Sequence, residues 1–277
     1  DLGMSRGLGD VYKRQHYSAK RIKKFLNIPT SIVTDSVDYL KETYKDYEKV
    51  FDKVIEVPFT NNSTTKRYFD GSGVAKHLQF KNDLRTQSYE LTPYDETLLL
   101  DSDYIIANSL FKHCFEQDHD FLIFKNAIDL TAWRNTDEFQ KISDASVDFY
   151  WATVIFFRKS EENKIFFDLT KHIQENWDHY NSIFQVNRGT FRNDHVFSVA
   201  IHIMNGYQSG DFARKLPGKK YYTADRDILW DLKDDNFLFL LEKENHLGEY
   251  TPLRIKGSNV HVMNKFSLNR IIDRGDV

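Results

Sequence analysis

Residues 97–105, TLLLDSDYI, place two aspartates directly after an apolar segment. An uninterrupted apolar run that ends in polar residues is typical of a strand buried on both faces, as in a parallel sheet. Ligands of parallel α/β proteins bind beyond the carboxyl ends of the strands. The sequence therefore predicts that Asp101 and Asp103 reach a binding crevice, where carboxylate oxygens suit a hard divalent cation such as Mg²⁺ or Mn²⁺.

Two aspartates separated by one residue are a weak signal when taken alone. The same spacing occurs at residues 118–120 (DHD) and 225–227 (DRD), where no apolar strand precedes the pair. We interpret both of these pairs as solvated loop charge. The structural alternative for Asp101 and Asp103 is a strand-end turn whose carboxylates contact only water, and the motif alone favours neither reading.

Segments of strand and helix pattern alternate on both sides of this motif. The predicted strands are 31–34, 54–58, 97–100, 121–124, 150–157, 237–241 and 260–263, and the predicted helices are about 19–26, 39–47, 80–90, 161–180 and 193–205. The helix after Ser160 has its apolar residues, beginning with Ile165, three or four positions apart, and Ser160 is a suitable N-cap. This alternation predicts an α/β fold with a mainly parallel sheet that helices cover on both faces.

The composition excludes several classes of protein. With 40% hydrophobic residues and only 12 glycines and 5 prolines among 277 residues, the chain is neither collagen-like nor disordered. The net charge of −3 gives no overall attraction to nucleic acid or anionic membranes. The single cysteine, Cys114, excludes an internal disulfide and a multi-cysteine zinc site. No apolar run approaches the roughly 20 residues that span a bilayer, so we expect a soluble, cytoplasmic protein.

The first residues require a separate interpretation. Residues 10–15, DVYKRQ, resemble the translation of a transposon end that is used to prepare sequencing libraries. We therefore expect residues 1 to about 15 to be non-native and exclude them from the fold prediction. The remaining residues, 16–277, are expected to form one domain.

Residues 84–108, LRTQSYELTPYDETLLLDSDYIIAN, resemble the segment that carries the D-x-D motif in nucleotide-sugar-dependent glycosyltransferases of the GT-A fold, in particular the family-8 and glycogenin-like enzymes. The resemblance implies a Rossmann-like GT-A domain in which Asp101 and Asp103 bind Mn²⁺ or Mg²⁺. It also implies a basic residue near the donor diphosphate. Arg85 has the matching position, and Lys81 is a competing candidate.

A second stretch, RNDHVFSVAIH at residues 192–202, resembles the acidic motif that opens a late helix in this family. The resemblance implies that Asp194, with Asn193 beside it, binds hydroxyls of the donor sugar. The structural alternative is an ordinary helix N-cap. The strand at 150–157 corresponds to one that lines the sugar pocket, which implies that Trp151 and Thr153 face the donor or the acceptor.

A third stretch, VHVMNK at residues 260–265, resembles the segment that supplies the last protein ligand to the metal. The resemblance implies that His261 is this ligand and that Lys265 reaches the diphosphate. The family's Gly and Lys-Pro-Trp pattern is absent here. The family's first strand and base-binding turn would precede His16 and are expected to be missing, with Tyr17 near the place of an aromatic residue that stacks on uracil.

Together, these matches imply a metal-dependent glycosyltransferase that moves a sugar from a nucleotide-diphosphate donor, such as a UDP-sugar, with retention of configuration. The metal, Arg85 and Lys265 would stabilise the departing diphosphate electrostatically. The acceptor could be a glycan, a protein, a lipid or a hydroxylated nucleobase, and the sequence does not name it. Two alternatives are a nucleotidyltransferase or phosphohydrolase of similar fold, and a non-catalytic carbohydrate-binding relative.

Overall fold

Helices and strands alternate along the chain and form an α/β structure with mixed sheets. The computed structural model describes residues 2–58, 64–69, 75–80, 83–131, 134, 136, 139–142, 147–186, 191–244, 246 and 248–275. The helices are α1 (Leu2–Phe25), α2 (Val37–Thr43), α3 (Tyr47–Val50), α4 (Ser88–Leu91), α5 (Glu161–Glu175), α6 (Trp177–Ile183), α7 (Asn193–Met204) and α8 (Lys265–Asp273). The strands are β1 (Ser31–Thr34), β2 (Lys53–Glu56), β3 (Thr64–Phe69), β4 (Ala75–Phe80), β5 (Glu96–Leu100), β6 (Tyr104–Ile105), β7 (Phe121–Phe124), β8 (Ala127–Asp129), β9 (Lys141–Ile142), β10 (Val147–Asp148), β11 (Trp151–Arg158), β12 (Arg214–Lys215), β13 (Lys220–Thr223), β14 (Ile228–Lys233), β15 (Asn236–Glu242), β16 (Tyr250–Lys256) and β17 (Val260–Val262).

The first four-stranded sheet has the order β12-β7-β11-β5 and mixes strand directions. Strand β11 runs antiparallel to both β5 and β7, whereas β12 is parallel to β7. For this sheet the prediction of mainly parallel pairing is therefore wrong. The side chains of β11 from Trp151 to Phe157 are all buried. Its continuous apolar run reflects burial on both faces, and burial does not determine whether the neighbouring strands are parallel.

The second four-stranded sheet has the order β6-β17-β13-β8 and positions the candidate site. Strand β17 is antiparallel to β6 and parallel to β13, and β13 is parallel to β8. Tyr104 on β6 is directly opposite His261 on β17. The aspartates of the D-x-D motif lie in the turn that leads from β5 in the first sheet to β6 in the second. This turn therefore places Asp103 beside β17, the strand that carries His261.

Helix α5 confirms one part of its prediction and corrects another. Ser160 is its N-cap, and its side chain accepts a hydrogen bond from the Asn163 backbone N–H. The predicted buried stripe began at Ile165, but that side chain is 58% exposed, whereas Phe166 and Phe167 are buried. Burying two adjacent phenylalanines removes more apolar area from water, and this sets the rotation of the helix. The helix ends at Glu175, and α6 follows as a separate helix.

The predicted strands at 31–34, 97–100 and 121–124 are present as β1, β5 and β7. The helix predicted over residues 80–90 begins later, as a 3-10 helix over Asp83–Gln87 that continues into α4. Phe80 instead ends β4, where it pairs with Thr64 of β3. The helical residues therefore begin at Asp83, and Phe80 belongs to a strand.

Helix α1 begins well before His16. It includes Tyr12, which is 3% exposed, and Arg14, whose guanidinium donates to the Asn269 side-chain oxygen of α8 at 3.0 Å. The foreign origin of residues 1–15 stays a prediction. The expectation for Tyr17 is wrong, because this ring is 2% exposed within an apolar cluster and has no open face for a base.

The acidic pair at residues 225–227 is not solvated as expected. Asp227 is 1% exposed, and its carboxylate accepts a hydrogen bond from Arg134 at 2.6 Å. In the other pair, at residues 118–120, Asp118 is exposed, in agreement with the prediction. A buried partner distant in sequence therefore distinguishes two motifs of identical spacing.

No helix in the described ranges combines the length and the apolar character needed to cross a lipid bilayer.

Candidate metal and donor site

Asp101, Asp103 and His261 form a compact group of potential metal ligands. One ligand atom from each of the three side chains lies within 4.8 Å of the other two. The turn after β5 supplies both carboxylates, and the pairing of β6 with β17 brings the imidazole to them. The structure thus brings together the three residues that the sequence motifs nominated. Two carboxylates and an imidazole can coordinate a divalent metal ion.

Asp103 is surrounded by positive or potentially positive groups. Its carboxylate lies 3.4 Å from His261 Nε2 and 3.3 Å from Lys265 Nζ. Burial alone would raise the pKa of Asp103. The nearby Lys265 and His261 lower it by a larger amount, so the pKa of this carboxyl lies well below its usual range. Lys265 is available for this contact because α8 begins at that residue. Asp103 is therefore ionised at neutral pH, as a metal ligand must be.

Asp101 is held by Arg85. The guanidinium of Arg85 forms an ion pair with the Asp101 carboxylate and also donates to the Ala152 carbonyl. Burial raises the pKa of Asp101, and Arg85 opposes that shift. The Asp101 side chain is 38% exposed, so part of the carboxylate faces solvent. The contact of Arg85 with a diphosphate stays a prediction, and its competitor Lys81 lies outside the described residues.

Asp194 lies in the first turn of α7 and is tied to the same part of β11. The backbone N–H of Ala152 donates to Asp194 Oδ1 at 2.8 Å, and Arg192 Nη2 lies 2.7 Å from Oδ2. Burial raises the pKa of Asp194, but Arg192 and the Ala152 N–H lower it, so the net pKa is below its usual value. The N-cap of α7 is Arg192, without a side-chain cap bond, so the N-cap alternative for Asp194 and Asn193 is wrong.

A bulge in β11 makes this arrangement possible. Pairing between β11 and β7 shifts register between Trp151 and Ile155. A bulge leaves backbone groups without ladder partners and often occurs beside functional sites. Here the N–H of Ala152 donates to Asp194, and its carbonyl accepts from Arg85. One residue of β11 thus links the part of the site at Asp101 to the part at Asp194.

Lys220 is a member of the site that sequence reasoning missed. It begins β13 and is fully buried, with Nζ 3.2 Å from His261 Nδ1 and 4.0 Å from the ring centroid of Trp151. Burial lowers its pKa to about 7, while Asp194 and the two aspartates of the metal cluster oppose the shift. The only sequence signal was a lysine beside aromatic residues in a short strand, a pattern that usually describes a solvent-facing side chain.

The two β11 residues that were expected to line a sugar pocket are buried instead. Trp151 is 1% exposed, and Thr153 is 3% exposed. Lys220 covers one face of the Trp151 indole, and the Thr153 carbonyl accepts a hydrogen bond from the Asp101 N–H at 3.0 Å. Both residues are packed behind the charged side chains of the site. The expectation that they face a ligand is therefore wrong.

Comparisons of the chain with models of protein families, with curated proteins and with solved structures find no match. The side chains of the site therefore carry the evidence for its chemistry. These are a potential metal cluster of two aspartates and a histidine, a third aspartate linked to it through β11, and several cations around them.

Proposed function

We propose that this chain is a metal-dependent glycosyltransferase that transfers a sugar from a nucleotide-diphosphate donor, such as a UDP-sugar, to an acceptor hydroxyl. The observation that carries the proposal is the convergence of Asp101, Asp103 and His261 within 4.8 Å. An imidazole among the ligands favours Mn²⁺ over Mg²⁺, because Mg²⁺ prefers an all-oxygen environment. A GT-A arrangement of the α/β fold and retention of configuration are part of the same proposal, based on the sequence motifs.

The residues divide into those that hold the metal and those that hold the donor. Asp101, Asp103 and His261 would bind the ion, which when bound supplies a positive charge that polarises phosphate oxygens. Lys265 lies beside this cluster, 3.3 Å from Asp103. From there its ammonium can stabilise negative charge that develops on a departing diphosphate. Arg85 fixes the orientation of Asp101 and adds a second fixed positive charge.

Asp194 would bind the sugar. Its carboxylate is ionised and oriented by Arg192 and by the Ala152 N–H. A carboxylate accepts hydrogen bonds from sugar hydroxyls, and this one is connected through Ala152 to Arg85 beside the metal cluster. The proposed donor would therefore extend from the metal cluster towards the start of α7.

Thermal denaturation with a panel of nucleotide sugars, each with and without Mn²⁺, tests this function. Ligands that bind only the native state raise the melting temperature. We expect a rise that requires both Mn²⁺ and one nucleotide sugar, and release of the nucleoside diphosphate when an acceptor is supplied. The Asp103→Ala variant should show neither effect.

Other outcomes would favour the alternatives. A rise with nucleoside triphosphates alone, with release of pyrophosphate, would indicate a nucleotidyltransferase. Release of phosphate without sugar transfer would indicate a phosphohydrolase. A rise with glycans that needs no divalent ion would indicate a carbohydrate-binding protein without catalysis.

A further inference from the structure

A pocket of about 160 Å³ lies at one end of the second four-stranded sheet. Its walls come from the residues that follow β6 and from the turns that precede β13 and β17. The metal cluster lies at the opposite end of these strands, where the carbonyl of Asp103, just before β6, accepts from the N–H of Val262 at the end of β17. The pocket is therefore a second concave site, separate from the candidate metal site.

Two asparagines fix the walls of this pocket. The side-chain oxygen of Asn259 accepts from the backbone N–H groups of Ala107 at 2.8 Å and Asn108 at 3.2 Å. The side-chain nitrogen of Asn108 donates to the carbonyl of Gly257 at 2.8 Å. These bonds join the segment after β6 to the turn before β17. The pocket is thus already formed without a ligand, as small-molecule sites usually are.

The polar side chains that line the pocket and keep unused hydrogen-bonding capacity can all donate. The oxygen of Asn259 is occupied, which leaves its amide nitrogen. Lys219 is exposed, and Tyr221 is half-buried. Neither side chain has a hydrogen bond or an ion pair within the ranges that the structure describes. The described lining contains neither aspartate nor glutamate, so the charge of Lys219 is not compensated inside the pocket.

The inner wall adds a further polar group. Tyr104 pairs with His261 in the ladder between β6 and β17, away from the other lining residues, so its ring is the part that reaches the pocket. The ring centroid lies 6.0 Å from that of Phe111, which also lines the pocket. The Tyr104 hydroxyl is buried and has no hydrogen-bond partner among the described residues. A polar wall of this kind favours a polar occupant over an apolar one.

We propose that this pocket binds a small oxyanion, namely the phosphate or carboxylate group of a compact metabolite. Charge-assisted hydrogen bonds from an ammonium, an amide and a tyrosine hydroxyl suit such a group. A cavity of about 150 Å³ holds a molecule of about six non-hydrogen atoms, so the ligand is smaller than a nucleotide. The proposal rests on Lys219, Tyr221 and Asn259 and is independent of the proposed function.

Calorimetric titration in buffer freed of divalent cations tests the proposal with inorganic phosphate, ethyl phosphate, succinate and, as a neutral probe, glycerol. Without a divalent cation, the metal cluster cannot recruit an anion through a bound ion. We expect the wild type to bind at least one of the three anions and not glycerol. Lys219→Met should weaken that binding at least about tenfold, as for a lost charge-assisted hydrogen bond, and leave the melting temperature unchanged because the side chain is exposed.

Two further variants separate a pocket from general attraction to surface charge. Tyr221→Phe removes one hydroxyl and keeps the ring, so it should weaken anion binding by about threefold. Lys256→Met is the matched control, because Lys256 is exposed and precedes the same turn but does not line the pocket. It should stay within about twofold of the wild type. A loss that Lys256→Met shares, or that Tyr221→Phe does not share, would overturn the pocket.

The probes separate the sources of the oxyanion. Binding confined to the two phosphates assigns the pocket to a phosphate group, and binding confined to succinate assigns it to a carboxylate. No binding of any anion to the wild type, equal affinities in Lys219→Met, or glycerol that binds as tightly as the anions would overturn the proposal.

Lys265→Met locates the bound anion. Lys265 lies at the metal cluster, so this variant should bind the anion with the affinity of the wild type. A loss in Lys265→Met without a loss in Lys219→Met would place the anion at the metal cluster and overturn the pocket. The titrations contain neither metal nor nucleotide sugar, so their outcome and that of the glycosyltransferase test are separate.

Discussion

Two buried clusters of aspartates in this fold differ in what surrounds their carboxylates. In the first, Arg134 Nη2 lies 2.9 Å from Asp129 and 2.6 Å from Asp227, and the side chains of the two aspartates are 5% and 0% exposed. Backbone N–H groups occupy further carboxylate positions. Asp227 accepts from Ala224 and Glu242 at 2.8 and 3.1 Å, and Asp129 accepts from Thr131 at 2.8 Å.

The second cluster is the candidate metal site, where the Asp103 side chain is 7% exposed but that of Asp101 is more open. Among the described residues, no backbone N–H donates to the carboxylate of Asp101 or Asp103. Their partners are side chains, one of which is the imidazole of His261, and the Asp101 side chain is 38% exposed. Carboxylates that accept hydrogen bonds from backbone amides stabilise the fold. Carboxylates whose partners are side chains can exchange those partners for a ligand.

The largest expected effect is on the stability of the Arg134 cluster. Asp227→Ala removes one of the two carboxylate partners of the buried Arg134 guanidinium and the acceptor of the Ala224 and Glu242 N–H groups. Breaking a buried ion pair in this way typically costs about 3–5 kcal/mol of unfolding free energy. Urea denaturation measures this loss. The folded variant should bind Mn²⁺ with the affinity of the wild type. A weakened affinity would contradict the assignment of the Arg134 cluster to the fold alone.

The matched substitution in the candidate site should have the opposite pattern. Asp103→Ala should weaken Mn²⁺ binding more than about 100-fold, beyond the range typical of residues that only support a ligand. Unfolding free energy should fall by less than about 2 kcal/mol, because Lys265 is 20% exposed and can reach water. Calorimetric titration with Mn²⁺ and urea denaturation provide both values. A variant that does not fold would indicate that Asp103 is structural.

Asp194 should make stability depend on pH. Its pKa is lower in the folded than in the unfolded chain, so its contribution is complete above the unfolded pKa of about 3.9 and is lost as the pH falls through the folded pKa. We expect Asp194→Asn to cost about 1–3 kcal/mol at pH 7 and progressively less in acid. Urea denaturation at a series of pH values tests this. A cost that is the same at every pH would show that the charge of Asp194 does not matter.

His261 should have the smallest effect of the three proposed ligands. Mn²⁺ binds carboxylates well, so His261→Ala should weaken its affinity by about 10- to 100-fold and leave both aspartates able to bind. The measurement is the Mn²⁺ titration used for Asp103→Ala. Unchanged affinity would remove His261 from the metal site.

Parts of this architecture could be predicted from local sequence. The apolar run before Asp101 indicated a strand that ends in polar residues, and Ser160 followed by two glutamates indicated the start of α5. Both signals depend on residues within a few positions of each other. The nomination of His261 came instead from a resemblance to a family motif, because a single histidine carries no spacing signal.

The remaining features depend on contacts between distant parts of the chain. Asp227 was interpreted as solvated, but its partner Arg134 lies 93 positions away. Lys220 is buried by Trp151 and by His261, the latter 41 positions further on. The directions of strands beside β11 depend on the order of the whole sheet. No local pattern of apolar and polar residues contains this information.

Pulsed electron paramagnetic resonance of bound Mn²⁺, with UDP added, tests the central claim most directly. We expect a hyperfine coupling to an imidazole nitrogen that disappears in His261→Ala, together with a coupling to phosphorus of the nucleotide. The Asp227→Ala variant, where it folds, should keep both couplings. Mn²⁺ that couples only to water protons, in the wild type as in Asp103→Ala, would contradict a metal site formed by Asp101, Asp103 and His261.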